Sequence, residues 1–174
     1  MITQKSLRYG LIIGAISTGI SIFSYAVNPS MAIQMVLGII TFVLIISLWI
    51  VYATRVRKEN QNSFTYGEAY TSLFIIAIVS MAMGSLWQIV LTQVVDPEYA
   101  ERMVEMSVAM AGNWGAEMTA EQIEETRAGF SLGGQLKGFL MSVVFMGILT
   151  ALVALIIKKE RAPFGANQTP IDAL

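Results

Sequence analysis

The polar side chains inside or beside long apolar stretches are the residues of this sequence that could carry chemistry. Glu68 stands at the start of an apolar run, and Gln34 and Gln88 lie within two others. A carboxylate held in a membrane is costly and is the usual proton site of a transporter. Glu68 also follows Thr65 by three residues, the spacing of a helix capping box. We favour this structural role for Glu68, and hydrogen bonds between helices for the two glutamines.

A stripe of large side chains recurs between the third and fourth apolar runs. Tyr99, Met103, Met106 and Met110 are spaced by 4, 3 and 4 residues, which places them on one face of a helix. Thioethers are soft ligands that suit Cu(I), and methionine surfaces adapt to apolar peptides. The same spacing is typical of an amphipathic helix that packs on a membrane or on a helix bundle. We favour packing, and keep the stripe as a candidate contact face.

The composition excludes several classes of chemistry. The chain has no cysteine and no histidine, so it lacks disulfides, thiolate metal sites and the commonest general base. Asp96 and Asp172 lie outside the apolar runs, which excludes the paired aspartates of an intramembrane protease. A net charge of −1 provides no basic field for nucleic acid. The sequence therefore predicts a non-enzymatic protein without a cofactor, a metal site or a nucleic-acid partner.

Four long apolar runs organise the chain. Hydrophobic residues make up 55% and charged residues 13%, against about 25% charged in soluble domains. Runs of about 20 apolar residues are long enough to cross a bilayer as helices. The predicted spans are about residues 9–27, 31–54, 67–95 and 136–157. We predict an all-α membrane protein with four transmembrane helices in one domain over residues 1–161, followed by a disordered cytoplasmic tail over 162–174.

The distribution of lysine and arginine predicts the orientation. Eight of these residues flank one side of the predicted spans and three lie on the other: Lys5, Arg8, Arg55, Arg57, Lys58, Lys158, Lys159 and Arg161 against Arg102, Arg127 and Lys137. Cytoplasmic flanks are enriched in positive charge, and aromatics near span ends, such as Trp49, are typical of the membrane interface. Both termini are therefore expected in the cytoplasm, and the loop of about residues 96–135 outside a bacterial inner membrane.

The acidic loop is predicted to contain two short helices. Asp96, which precedes a proline, is the expected N-cap of the first, and Glu98 is placed to pair with Arg102 one turn later. Thr119, with Gln122 three residues further on, is the expected capping box of the second. The loop would then present a folded and negatively charged surface.

Small residues mark the faces on which the membrane helices are expected to pack. They recur at helical spacing in the first span and around the start of the fourth: Gly10, Gly14, Ser17 and Ser21, then Gly134 and Gly138. Close approach of backbones at small residues is what holds helices together in lipid. The pattern predicts tight packing, either within the chain or against another subunit.

The chain resembles a known family. The resemblance rests on the basic start and Tyr-Gly-Leu-Ile-Ile-Gly run of Lys5–Gly14, on Phe-Thr-Tyr-Gly-Glu-Ala at Phe64–Ala69, on the methionine- and glutamate-rich segment Glu98–Glu125, and on Lys158-Lys159. These features are similar to the bacterial integral-membrane family catalogued as domain of unknown function 4199. The resemblance implies a small four-helix inner-membrane protein without an established activity, and it supplies no catalytic residues.

The sequence leaves two hypotheses for function. The first is a non-enzymatic accessory or assembly subunit, which contacts the lipid bilayer and a membrane-protein partner or a second copy of itself. It is motivated by the lack of chemistry inside the spans together with the structured loop. The alternative is a small transporter or channel whose path is lined by Glu68, Gln34 and Gln88.

Overall fold

The computed structural model describes residues 2–28, 30–60 and 63–159, and over these ranges the chain is helical. The helices are α1 (Ile2–Val27), α2 (Met31–Glu59), α3 (Tyr66–Val90), α4 (Tyr99–Asn113), α5 (Ala120–Gly129) and α6 (Leu132–Ile157), and a π-helical turn, Leu91–Val95, continues α3. Over the same ranges, β structure is limited to one bridge. The tail predicted over residues 162–174 lies outside the described residues.

Four of the helices have the length and apolar composition of membrane spans: residues 2–27, 33–59, 66–95 and 132–157. The predicted all-α architecture with four long apolar helices is therefore confirmed. The helices extend beyond the apolar runs, since α1 begins at Ile2 and α6 at Leu132. Hydropathy measures the hydrocarbon-facing stretch alone, whereas backbone hydrogen bonding continues into the polar ends.

The surface of the long helices is apolar. Large side chains such as Ile39 and Ile156 are 64% and 82% exposed, and Leu140 and Phe23 are exposed to a similar degree. Contiguous exposed surface of this kind is uncommon on soluble monomers, because contact between apolar side chains and water is unfavourable. Such a surface is typical of helices that face lipid.

Helix α3 is the centre of the bundle, because α1, α2 and α6 all pack against it. Its buried positions are mostly small or β-branched residues, such as Ala69, Ser72, Ile76 and Ala77. Trp49 of α2 is also buried, and its indole N–H donates to the Ser80 hydroxyl at 3.0 Å. The interface role predicted for Trp49 is therefore wrong, because its ring packs into the bundle and its polar atom is satisfied there.

The contact between α1 and α3 depends on two glycines. A Cβ atom added to Gly10 would lie 2.8 Å from Val79 Cβ and 3.1 Å from the Ile76 carbonyl oxygen. A Cβ atom added to Gly14 would lie 2.5 Å from Met83 Sδ. Neither position has space for a side chain, so the two backbones approach closely.

The helix ends that carry most of the basic residues meet at one end of the bundle, which we call the basic end. Phe64, before α3, and Lys159, after α6, exchange backbone hydrogen bonds of 2.7 and 2.8 Å. Arg57 of α2 donates to the carbonyl oxygen of Ile157 at 2.9 Å. These bonds tie the α2–α3 connection to the end of α6.

The start of α1 is held at the same end. Lys5 lies 3.0 Å from the Glu59 carboxylate, and the Tyr9 hydroxyl donates to Glu59 at 2.8 Å. The hydroxyls of Ser6 and Ser72, both fully buried, share a hydrogen bond of 2.8 Å between α1 and α3. All four long helices are therefore joined at the basic end.

We expect alanine at Gly10 or Gly14 to destabilise the bundle, because the added methyl group overpacks the α1–α3 contact at a cost of about 1–3 kcal/mol. The effect should be larger at Gly10, where the neighbours include the backbone oxygen of Ile76. Thermal unfolding in detergent, followed by tryptophan fluorescence, measures it. Gly19→Ala in the same helix is the matched control, since nothing lies within 4 Å of its added Cβ. Equal effects at positions 10, 14 and 19 would contradict the packing role.

Candidate functional site

The opposite end of the bundle, which we call the loop end, carries α4 and α5 and a cluster of polar side chains. Asp96 follows the π-helical turn of α3 and is 17% exposed. Its carboxylate accepts a hydrogen bond of 2.9 Å from the Tyr25 hydroxyl of α1 and forms an ion pair with Arg102 of α4. The Tyr99 ring meets the Tyr25 ring edge-on at 5.7 Å between centroids. This cluster fastens α4 to α1 and α3.

Helix α4 begins at Tyr99 with Glu98 in the cap position, and the Asp96 carboxylate accepts a hydrogen bond from the Tyr99 backbone N–H, as expected for the predicted N-cap. One prediction for this segment is wrong, because Arg102 pairs with Asp96 rather than with Glu98. The physical reason is that the Asp96 carboxylate, which is already held by the Tyr25 hydroxyl of α1, lies within reach of the Arg102 guanidinium, and this charge-assisted bond is stronger than an exposed pair within one helix.

Arg127 joins α5 to α4. Its Nε and Nη2 atoms donate to the two carboxylate oxygens of Glu101 at 3.0 and 2.6 Å, and its Nη1 atom donates to Glu124 at 2.7 Å. Such a two-pronged contact is possible for a guanidinium but not for an ammonium group. The Thr119–Gln122 capping box predicted at the start of α5 is present.

These contacts change the ionisation of the loop carboxylates. The Arg102 hydrogen bond holds the pKa of Asp96 below its ordinary value, with a smaller contribution from the Tyr25 hydroxyl. In the same way, the Arg127 hydrogen bond lowers the pKa of Glu101. Both carboxylates are therefore charged at neutral pH, and both interactions persist below the pH at which an ordinary carboxyl group becomes protonated.

The methionine stripe faces inward. The side chains of Tyr99, Met103, Met106 and Met110 are all half-buried, and Val104 beside them is buried. The outward surface of the loop is acidic instead, with exposed glutamates at seven positions: Glu98, Glu101, Glu105, Glu117, Glu121, Glu124 and Glu125. The surface that the loop presents is therefore the charged one.

Glu68 lies at the basic end, in the capping box predicted there. Its carboxylate accepts from the backbone N–H and the hydroxyl of Thr65 at 2.8 and 3.0 Å, while the Thr65 hydroxyl accepts from the Glu68 N–H at 3.3 Å. The Asn60 amide also donates to Glu68 at 3.4 Å. These bonds orient Glu68 toward the start of α3.

The two candidate glutamines lie elsewhere. Gln34 lines a cleft between α1 and α2 toward the loop end. Gln88 lines a separate groove of about 520 Å³ between α3 and α6. The structure therefore does not bring Glu68, Gln34 and Gln88 together.

The cleft between α1 and α2 has a volume of about 280 Å³ and contains part of the predicted small-residue stripe. Ser17 and Ser21 line it from α1 and Thr41 lines it from α2, with Tyr99 of the loop at its edge. The spacing of the two serines in the first span predicted that they pack against another helix. The signal that this prediction overlooked is that α2 also carries polar residues, Gln34 and Thr41, along the stretch that faces these serines.

The glycines of the fourth span differ from each other. A Cβ atom added to Gly134 would lie 2.7 Å from Gly129 Cα, so the α5–α6 turn requires glycine there. An added Cβ at Gly138 would meet nothing within 4 Å, and this residue lines the groove beside Gln88. Gly134 thus forms a close contact within the chain, whereas Gly138 leaves open space.

A hydrogen-bond network that the sequence analysis missed joins α3 to α6 at the loop end. The Gln135 amide donates to the Thr92 hydroxyl at 2.7 Å and to the Phe130 carbonyl at 2.8 Å. Thr92 lies in the π-helical turn and donates to the Gln88 carbonyl at 3.0 Å. The π turn is the element that places Thr92 in this network, and such turns are not visible in hydropathy.

The comparison with protein families gives one result. The family described as protein of unknown function DUF4199 matches residues 8–159, and the chain therefore belongs to that family. No curated protein and no solved structure matches the chain. The predicted family is confirmed, and the class that the fold defines is a small protein with four apolar, membrane-span-like helices.

We expect the attachment of α4 to be insensitive to pH near neutrality and to be lost only in acid. Because the pKa of Asp96 is lowered in the folded chain, its contribution is complete above the ordinary carboxyl range and disappears as the pH falls through the lowered value. Since the chain has no cysteine, spin labels can be placed uniquely at Ile22 and Ala109. Pulsed EPR should give a narrow distance distribution at neutral pH that broadens in strong acid.

Asp96→Asn should broaden this distribution already at neutral pH, because Arg102 loses its charged partner. Glu117→Gln, which neutralises an exposed acid of the same loop, is the control and should leave the distribution narrow. A narrow distribution for Asp96→Asn at every pH would show that the ion pair does not hold α4.

The capping role of Glu68 predicts a difference between two substitutions. Glu68→Ala should lower the free energy of unfolding by about 1 kcal/mol, whereas Glu68→Gln should retain most of it, because glutamine also completes a capping box. Thermal unfolding in detergent measures the difference. Equal losses of stability in the two variants would contradict the capping role.

Proposed function

We propose that this protein is a non-enzymatic membrane protein that acts by binding another membrane protein through its folded loop. With the basic end in the cytoplasm, as the distribution of lysine and arginine indicates, the loop is extracytoplasmic. The proposal is based on two contacts. The Asp96 cluster attaches α4 to the bundle, and Arg127 attaches α5 to α4.

A simple connection between α3 and α6 needs no such fastening. The two helices are neighbours, and their joining segment could remain flexible. Ordering a backbone costs about 1–2 kcal/mol per residue, so fixed helices must be stabilised by contacts such as those of Arg127. A surface that is already ordered loses less entropy on binding, which favours a role in recognition.

The charge of the loop defines the partner. Glu105 and Glu121 are exposed on α4 and α5, respectively, and each helix carries further outward glutamates. Complementary charge increases the association rate and selects among partners. We infer that the partner is another protein that presents a basic segment on the same side of the membrane, because the loop arginines of this chain are already paired with its own carboxylates.

The alternative, a small transporter or channel, requires Glu68, Gln34 and Gln88 to share a path. Glu68 is bound at the basic end, and the two glutamines line separate spaces nearer the loop end. This separation gives the alternative less support than the accessory role. Flux in reconstituted vesicles that Glu68→Gln abolishes would favour it again.

Photo-crosslinking tests the proposal. A benzoylphenylalanine at Glu105 or Glu121 should form one discrete protein adduct in native membranes, because both side chains face outward from the loop. The same group at Ile39, which is 64% exposed on the apolar surface of α2, is the control and should label lipid. An adduct of twice the chain mass would identify a second copy and would contradict the inference of a basic partner.

Charge reversal then tests the chemistry of the interaction. For this test, benzoylphenylalanine is placed at a third loop position, Glu117. The combined substitutions Glu105→Lys and Glu121→Lys should reduce the yield of its protein adduct severalfold. Lys58→Glu at the basic end is the control and should leave the yield unchanged. The proposal would be contradicted if no loop position yields a protein adduct. It would also be contradicted if the double substitution Glu105→Lys and Glu121→Lys leaves the adduct unchanged.

A further inference from the structure

Three hydroxyls that line the cleft between α1 and α2 differ from those of Ser47 and Thr54 in α2. Ser47 donates to the Val43 carbonyl at 2.7 Å and Thr54 to the Ile50 carbonyl at 2.8 Å, which satisfies each within its own helix. Over the described ranges, the hydroxyls of Ser21, Ser24 and Thr41 have no hydrogen-bond partner in the protein. Three polar groups therefore line one space without being satisfied by the chain.

The cleft is polar but uncharged. None of its lining residues, all within the described part of the chain, is Asp, Glu, Lys or Arg. The charges nearest its edge, Asp96 and Arg102, neutralise each other in an ion pair. Hydroxyl groups donate and accept hydrogen bonds, so they fit a ligand group that does both and carries no net charge.

The cleft continues into an apolar crevice. Ser17 and Thr41 line both spaces, and the crevice extends from them between α2 and α6 with a volume of about 260 Å³. Its other lining residues are mostly large and apolar, among them Phe42, Trp49 and Met146. A polar space near the loop end therefore adjoins an apolar space that reaches toward the middle of the bundle.

We propose that this pair of spaces binds one amphiphile, with an uncharged hydroxyl-bearing head in the cleft and an apolar chain in the crevice. The head lies toward the loop end and the chain toward the membrane interior, which is the orientation of a lipid in the leaflet on that side. A glycerol or sugar head group has the required chemistry, because its hydroxyls pair with those of Ser21, Ser24 and Thr41. The site does not depend on the partner proposed for the loop.

Fluorescence quenching provides a direct test, because Trp49 lines the crevice and is only 5% exposed. With Trp87→Phe and Trp114→Phe, Trp49 is the remaining tryptophan of the chain. The protein is placed in phosphatidylcholine vesicles and titrated with a monoacylglycerol whose chain is dibrominated, since bromine quenches tryptophan at contact. We expect saturable quenching by this probe. The corresponding dibrominated fatty acid has a charged head group. Its affinity should be lower than that of the monoacylglycerol by about tenfold or more.

Two sets of variants locate the head and the chain. Gly38→Leu should abolish the saturable component, because Gly38 lines the cleft and has open space around an added Cβ; Gly19→Leu is the matched control on α1. Ser21→Ala with Ser24→Ala and Thr41→Val should weaken binding about tenfold or more, whereas Ser47→Ala, whose hydroxyl bonds to its own helix, should not. Circular dichroism verifies the fold of each variant.

Three results would overturn the proposal. Quenching that rises linearly and equally for both probes would show ordinary solvation by the bilayer. Binding unaffected by Gly38→Leu would place the probe elsewhere. Binding blocked by Gly38→Leu but unchanged by the three hydroxyl substitutions would describe an apolar pocket without recognition of the head.

Discussion

The close approach of α1 and α3 at Gly10 and Gly14 is the contact on which the rest of the bundle depends. Between helices in lipid there is no hydrophobic driving force, so association requires close van der Waals packing. The missing side chains at these two positions bring α1 against Val79 and Met83 of α3. Helices α2 and α6 then pack on the same central helix, and their positions follow from that of α3.

The two ends of the bundle are organised differently. At the basic end, the α2–α3 connection and hydrogen bonds such as Phe64–Lys159 and Ser6–Ser72 hold the four helices together. Toward the loop end, α1 and α2 leave a polar cleft, and α2 and α6 leave an apolar crevice. The contacts at the basic end do not line these two spaces, so a ligand can occupy the spaces without loss of the fold.

The loop end also carries the features that support a role in binding. Asp96 and Arg127 convert the segment between α3 and α6 from a connection into a fixed pair of helices with an acidic outward surface. Tyr99 contacts Tyr25 of α1 and also lines the cleft, so the loop and the cleft share one residue. Any ligand that reaches Tyr99 would therefore contact the element that presents the acidic surface.

The sequence by itself determined the helical class, the four apolar spans, the family and the helix starts at Thr65 and Thr119. Each of these depends on local chemistry: hydropathy over about 20 residues, or a side chain that caps a backbone three residues away. The tertiary structure alone decided that Asp96 pairs with Tyr25 and Arg102 and that Trp49 is buried. It also divided the small-residue stripe of α1: Gly10 and Gly14 pack against α3, whereas Ser17 and Ser21 line the cleft. Those outcomes depend on which helix faces which, and a residue's spacing in its own helix does not specify its neighbour in another.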